Sequence, residues 1–327
     1  MKLKLKRRLR ILLAVALGGF VALNALAYRH AYAMLHFTSG STRTDKPEHL
    51  SLGQKIKVLF LGVELPRPRS DMPPSVVGPA CRSLTFPGNN GIRLGAWYFP
   101  APASNPLVIL FHGYAGEKTG MVPMAKAFVD MGFSVLLVDF RGSGDSSESY
   151  TTLGFLEAED VAAAVRYAGQ SLPHSRLVLY GTSMGAAAVL RGVARQNTRP
   201  DAIIAEGVFD TMLNTVRHPF EAMGVPSFPS AQMLMFWGGF SAGFNAFDHN
   251  PVDYAARVPC PILFLHGSDD PRARLDEARR VFAAVPGAKQ FREFPNMGHE
   301  SSFIRYPAEW HQTVGDFLKA AGISTNL

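Results

Sequence analysis

From residue 92 onward the chain alternates short β-type runs with stretches of helical period, and few folds accept that alternation over so long a span. Strands are predicted over residues 92–99, 107–111, 134–139, 176–180, 202–205, 262–265 and 290–294. Helices are predicted over 121–131, 154–169, 184–195 and 307–320. Several of the strands are unbroken apolar runs, Val108-Ile109-Leu110-Phe111 and Val135-Leu136-Leu137-Val138 among them. A strand is apolar on both faces when helices cover both sides of its sheet. The expectation is an α/β fold with a mostly parallel central sheet, in one domain over residues 81–327. Ligands of such sheets bind beyond the carboxyl ends of the strands, so chemistry is sought in the residues that follow each one. The interval 209–247 breaks the alternation and is loaded with Met, Phe and Trp237. It reads as a short lid insertion, its apolar residues either packing it onto the body or meeting a substrate.

Gly181-Thr182-Ser183-Met184-Gly185 lies between an apolar strand and an alanine-rich helix. An N-capping serine has the same residue preference. A serine between two glycines on a strand-to-helix turn has a further property: its Oγ stands exposed over a helix N-terminus, which favours negative charge. Ser183 is therefore the candidate nucleophile, and a serine nucleophile needs a base.

Five histidines follow Ser183: His218, His249, His266, His299 and His311. His299 stands in the polar loop Pro295-Asn296-Met297-Gly298-His299-Glu300, directly after the last strand, and is the candidate base. His218 and His249 fall in or near the lid, and His311 lies within the closing helix. The acid that orients the base should follow a strand between Ser183 and His299. Asp269 and Asp270 both qualify, and Glu206 is the rival. For the oxyanion, the loop His112-Gly113-Tyr114-Ala115-Gly116 and the turn after Ser183 offer the backbone N–H groups of Tyr114 and Met184. His112 itself reads as a brace for that loop.

The ordered segments LFHGYAGEK, VDFRGSGDSS, LYGTSMGAA, ILFLHGSDDPRA and FPNMGHES resemble the α/β-hydrolase superfamily, in particular its serine aminopeptidase-like group of bacterial hydrolases. The resemblance covers residues 80 to 320. It implies the triad acid at Asp270, the base at His299 and an oxyanion amide at Tyr114. It also implies acyl transfer without metal or organic cofactor, on a small-molecule ester or related acyl substrate. The alternatives are an aminopeptidase, for which Glu221 in the lid could hold the substrate amine, an acyltransferase, and a non-catalytic membrane-anchored binding protein.

The net charge of +7 invites a nucleic-acid reading, but its distribution opposes one. Lys2, Lys4, Lys6, Arg7, Arg8 and Arg10 account for six of the 33 basic residues, and the other 27 face 26 acidic ones. No basic stripe remains to follow phosphates. Those cations precede an apolar run over 11–27, interrupted by Asn24. Residues 1–30 thus read as an uncleaved membrane anchor, with cleavage near Ala27 as the alternative. The positive-inside bias puts the hydrolase domain on the non-cytoplasmic side of the cell membrane, or in the periplasm or outside the cell after cleavage. Residues 31–80 read as a linker. Cys81 and Cys260 are the only cysteines, and their spacing alone does not pair them.

Overall fold

Eight strands form one sheet in the computed structural model, which describes residues 2–40, 42–45 and 50–325, with the backbone alone for 2–5. In chain order they are β1 (Arg82–Pro87), β2 (Arg93–Phe99), β3 (Leu107–Phe111), β4 (Ser134–Val138), β5 (Leu177–Thr182), β6 (Ala202–Glu206), β7 (Ile262–Gly267) and β8 (Lys289–Phe294). Across the sheet their order is β1-β2-β4-β3-β5-β6-β7-β8. The β1–β2 and β2–β4 pairs are antiparallel and every other pair is parallel.

The helices are α1 (Lys2–Leu35), α2 (Leu52–Leu61), α3 (Val122–Asp130), α4 (Glu157–Ser171), α5 (Met184–Arg195), α6 (Met212–Met223), α7 (Ser230–Ala242), α8 (Pro251–Ala255), α9 (Leu275–Ala284), α10 (Ser302–Arg305) and α11 (Pro307–Ala320). The two faces of each strand feed two separate cores. Leu107, Ile109 and Phe111 face residues of α4, α5, α8 and α9, such as Val161, Val189, Tyr254 and Val281. Val108 and Leu110 face α3 and α11 through Met124, Phe128, Trp310 and Val314. This division is why the runs are apolar at every position. Each fully buried Leu, Val or Phe contributes about 1.5–3 kcal/mol, so the central strands carry much of the stability.

Several elements escape the sequence pattern, β1 and α9 among them. Strand β1 sits at the edge of the sheet and buries only Phe86, so it has no apolar run to betray it. Helix α9 is rich in charge (LDEARRVFAA), yet Ala278 and Val281 bury a narrow stripe. A parallel β7–β8 pair requires a crossover of this kind.

Helix α1 runs unbroken past the apolar run and ends against the domain: Thr151 donates its backbone N–H to the Leu35 carbonyl and Phe37 to that of Ser149. Within residues 31–80, positions 41 and 46–49 lie outside the described residues. The same stretch holds α2, which Ser51 and Gln54 start with a reciprocal capping box. Leu50, Leu65 and Val77 of this stretch are buried. Cys81 and Cys260 are buried and unbonded, and burial pushes their thiols up to about 11 and about 12.

Candidate active site

Register sets the first part of the site. Phe111 pairs with Gly181, and Gly181 with Ala205, so β3, β5 and β6 release their chains side by side at one edge. After β5 the chain turns at Ser183, whose φ of 54° and ψ of −114° lie outside the ordinary regions for a side-chain-bearing residue. The turn is possible because two neighbours lack Cβ atoms. A Cβ on Gly181 would stand 2.5 Å from the Gly185 carbonyl, and one on Gly185 would stand 2.4 Å from the Phe111 carbonyl oxygen. Helix α5 starts at Met184 and points its first N–H groups at the space beside Ser183.

Ser183 Oγ lies 2.9 Å from His299 Nε2, and His299 Nδ1 lies 2.6 Å from Asp270 Oδ2. One neutral tautomer serves both contacts: Nδ1–H donates to the carboxylate while Nε2 accepts from the hydroxyl. Asp270 is buried, and its other oxygen accepts the backbone N–H groups of Arg272 and Ala273 at 2.8 and 3.0 Å. Burial pushes its carboxyl up, but His299 and the two amides outweigh that and hold it below the usual carboxylate range. The neighbouring Asp269 is exposed and accepts from Ser268 Oγ. Glu206, the rival acid, is buried and engaged elsewhere. It accepts from Tyr180 Oη and from both the N–H and hydroxyl of Ser302. The amides cradling Asp270 come from the Pro271-Arg272-Ala273 turn. An Asp accepting from the backbone two residues on is a common turn signal, legible in the sequence but not read there.

The two expected oxyanion residues stand on either side of Ser183 in the chain-release edge: Met184 at the start of α5 and Tyr114 in the loop after β3. Among the described residues, no turn or cap carbonyl takes either N–H. His112 is buried and braces this loop, accepting from the Phe140 N–H at 3.1 Å and donating from Nδ1 to the Gly113 carbonyl at 2.8 Å. The loop has a second support absent from the sequence reading. Tyr114 Oη donates to the Met34 carbonyl at 2.5 Å, so the last turn of α1 forms part of the site's wall. Nothing in residues 30–35 announces this, because the contact joins positions 80 apart.

The insertion after β6 folds as α6 and α7 with a small core of their own, made by Met212, Val216, Ala231, Met235 and Ala246. Met212 and Met235 also line an apolar crevice of about 40 Å³ between this insertion and Ala31, Met34 and Leu35 of α1. His218 fastens α6 to the body. Its Nδ1 meets the Arg272 carbonyl at 2.7 Å and its Nε2 meets Glu277 Oε1 at 3.0 Å. Both ring nitrogens face acceptors, which calls for the imidazolium. Burial pushes the His218 pKa down, but the Glu277 carboxylate and the Arg272 carbonyl prevail and raise it. A raised histidine pKa stabilises the fold fully below its unfolded value of about 6.5, and that stabilisation is lost as pH rises through the folded value. The Tm should therefore fall as pH rises above neutrality, in a step that His218→Ala removes. That substitution also strips buried Glu277 of its cationic partner, leaving only the Arg274 N–H, and should lower the unfolding free energy by about 3 kcal/mol. Thermal unfolding of both proteins across pH 6 to 9 checks the point.

A family model described as the prolyl oligopeptidase family matches residues 122–322, and one for acetyl xylan esterase matches 67–164. An uncharacterized protein of Mycobacterium tuberculosis is 31% identical over 229 residues, 69% of this chain and 74% of that protein. The lysophosphatidylserine lipase ABHD12 of Macaca fascicularis is 27% identical over 238 residues, which are 68% of this chain and 58% of the relative's length. Among solved structures, the esterase Pf2001 of Pyrococcus furiosus superposes with a TM-score of 0.66 at 21% identity, over 78% of this chain and 96% of that one. With family matches reaching from α3 to the end of α11 on a sheet of this order, the chain belongs to the α/β-hydrolase superfamily and, within it, to the prolyl oligopeptidase family.

Proposed function

We propose that this protein is a serine hydrolase that cleaves carboxylic esters through a covalent acyl-enzyme. The reading rests on one continuous chain of hydrogen bonds, Ser183 Oγ to His299 Nε2 and His299 Nδ1 to Asp270. His299 takes the Ser183 proton as Oγ attacks the ester carbonyl carbon. The oxyanion that forms is held by the N–H groups of Tyr114 and Met184, each worth about 3–4 kcal/mol in the transition state. The C–O bond to the leaving group then breaks, and His299 returns the proton to the departing alcohol. Water, deprotonated by the same histidine, attacks the acyl-serine and releases the acid. Asp270 stays ionised throughout, fixing the tautomer and stabilising the imidazolium.

An ester is favoured over an N-terminal peptide because Glu221 is paired with Arg274, which leaves the lid's obvious acid engaged. The lipase name of one relative and the acetyl xylan esterase family model point the same way, although the prolyl oligopeptidase family takes its name from a peptidase. Helix α1 is long and apolar enough to cross a membrane, with a mean hydropathy of 2.1 over its best stretch. It continues in helical form through Ala27, where a signal peptidase would need extended chain, and Ala27 and Ala31 are buried. We therefore read it as an uncleaved anchor, with the basic end in the cytoplasm and the hydrolase domain on the other side.

A fluorophosphonate probe should label Ser183 in the folded full-length protein and leave the Ser183→Ala variant unlabelled. A panel of p-nitrophenyl esters and amino-acid arylamides then separates the readings, with turnover expected on the esters. Absence of Ser183 labelling in folded protein, or turnover of arylamides alone, would refute the proposal.

A further inference from the structure

Three helices meet where α1 leaves its apolar run, and two of them expose apolar side chains that the domain leaves uncovered. Helix α7 packs on α1 through small residues: Gly238 lies against Ala31 and Leu35, and Trp237 Nε1 donates to Asn24 Oδ1 at 3.1 Å. The Trp237 ring meets Tyr28 edge-on at 5.6 Å. Beside Trp237, Phe236 and Phe240 point outward, 56% and 71% exposed. Helix α2 is tied to the other flank, where Arg29 donates to the Leu61 carbonyl at 2.7 Å and His30 Nε2 meets the Leu59 carbonyl at 2.8 Å. None of its ten residues is buried. Leu52, Ile56 and Phe60, spaced one turn apart, are 76%, 52% and 61% exposed. Lys55 Nζ reaches the Met223 carbonyl at the end of α6, so α2 and the insertion border one another.

We infer that α2 and α7 are seated in the membrane leaflet beside α1, so that the insertion after β6 faces the lipid and the substrate is an ester-bearing amphiphile delivered from the bilayer. The inference rests on α1 being a membrane span. At 1.5 Å per residue the run over 11–27 covers about 25 Å, close to the hydrocarbon thickness of about 30 Å. The leaflet boundary then falls near Tyr28, with Tyr32 one turn above it. Trp237 lies at the level of Asn24 to Tyr28, with the Phe236 and Phe240 rings against its own, and the end of α2 lies at the level of Arg29 and His30. Side chains at that depth beside a span are in contact with lipid, and Trp and Tyr are the residues that belong at such a boundary. Continuity with α1 thus selects the bilayer as the occupant of this face. It also accounts for Asn24, the polar interruption of the run, whose side chain is satisfied by Trp237 and the Phe20 carbonyl.

The test uses full-length protein in phosphatidylcholine–phosphatidylglycerol vesicles containing doxyl-labelled lipid. Single cysteines at Ile56→Cys, Phe240→Cys and Lys319→Cys would carry an NBD fluorophore; the natural Cys81 and Cys260 are buried and escape labelling. Lys319 is exposed in the last turn of α11, whose buried face packs in the core shared with α3 and contains no residue of α1. The expected result is loss of most NBD emission at 56 and 240 and none at 319. Equal quenching at all three positions in vesicles that the protein floats with would overturn the inference. So would self-quenching at 240 that grows with protein density and ignores doxyl lipid, which would mean a second copy covers the face. Protein that fails to float removes the span and the inference with it. Turnover of p-nitrophenyl butyrate by the same labelled variants reports on Ser183 independently, so failure of the catalytic proposal is distinguishable from failure of this one.

Discussion

Ser183→Ala is expected to lower kcat for a p-nitrophenyl ester by about 10^4- to 10^6-fold while leaving the fold intact. In the proposed mechanism the hydroxyl is the atom that forms the acyl bond, and no neighbouring side chain can replace it at the turn. Its loss removes a hydrogen bond to His299 from a half-buried position and little else, so the Tm should change by no more than a few degrees. What activity remains would come from the N–H groups of Tyr114 and Met184 polarising the carbonyl for attack by water. His299→Ala should fall to a similar rate, and the double variant should be no worse than either alone, because the two groups act as one unit. Steady-state kinetics beside circular dichroism checks both halves. Near-normal turnover in Ser183→Ala would end the nucleophile assignment.

Asp270→Asn should cost about 10^4-fold in kcat, whereas Asp269→Asn should stay within about threefold. An amide at 270 can present its NH2 to His299 Nδ1, which would turn the ring to the tautomer with a proton on Nε2. That nitrogen could then no longer accept from Ser183. The backbone amides of Arg272 and Ala273 already share Oδ1, so they would hold the amide oxygen there and leave its NH2 facing His299. Asp269 is exposed and bonds its neighbour's hydroxyl, so its neutralisation touches nothing that reacts. The pair also separates stability from catalysis. The depressed Asp270 pKa stabilises the fold above the unfolded value of about 3.9, and that contribution is lost as pH falls through the folded value. Acid unfolding of Asp270→Asn should accordingly be less steep in that range than that of wild type.

The central strands were legible because burial on both faces leaves an unambiguous apolar run, and β3 and helices α5 and α11 coincide with the predicted ranges. Edge strand β1 and helix α9 were not, since each buries only a stripe and is mostly polar elsewhere. Helix α2 carried a capping box in plain view, Ser51 with Gln54, but an exposed apolar face has no periodic contrast against a polar one. The superfamily was readable from five ordered motifs, which pointed within it to a serine aminopeptidase-like group; membership of the prolyl oligopeptidase family came from comparison with other proteins.

At the site, the chain alone singled out Ser183 and His299, because a strand-to-helix turn between glycines and a histidine after the last strand are local facts. It left Asp269, Asp270 and Glu206 in competition, which only resemblance narrowed. The tertiary structure separates them by where each carboxylate points. One is exposed, one is consumed by Ser302 and Tyr180, and one meets His299 across 29 residues. Tertiary contact likewise decided the place of α1 beside Tyr114 and the satisfaction of Asn24 by Trp237. Sequence patterns record the period of burial within an element; the partner across a gap of 80 or 213 residues is chosen by packing, which no local pattern encodes.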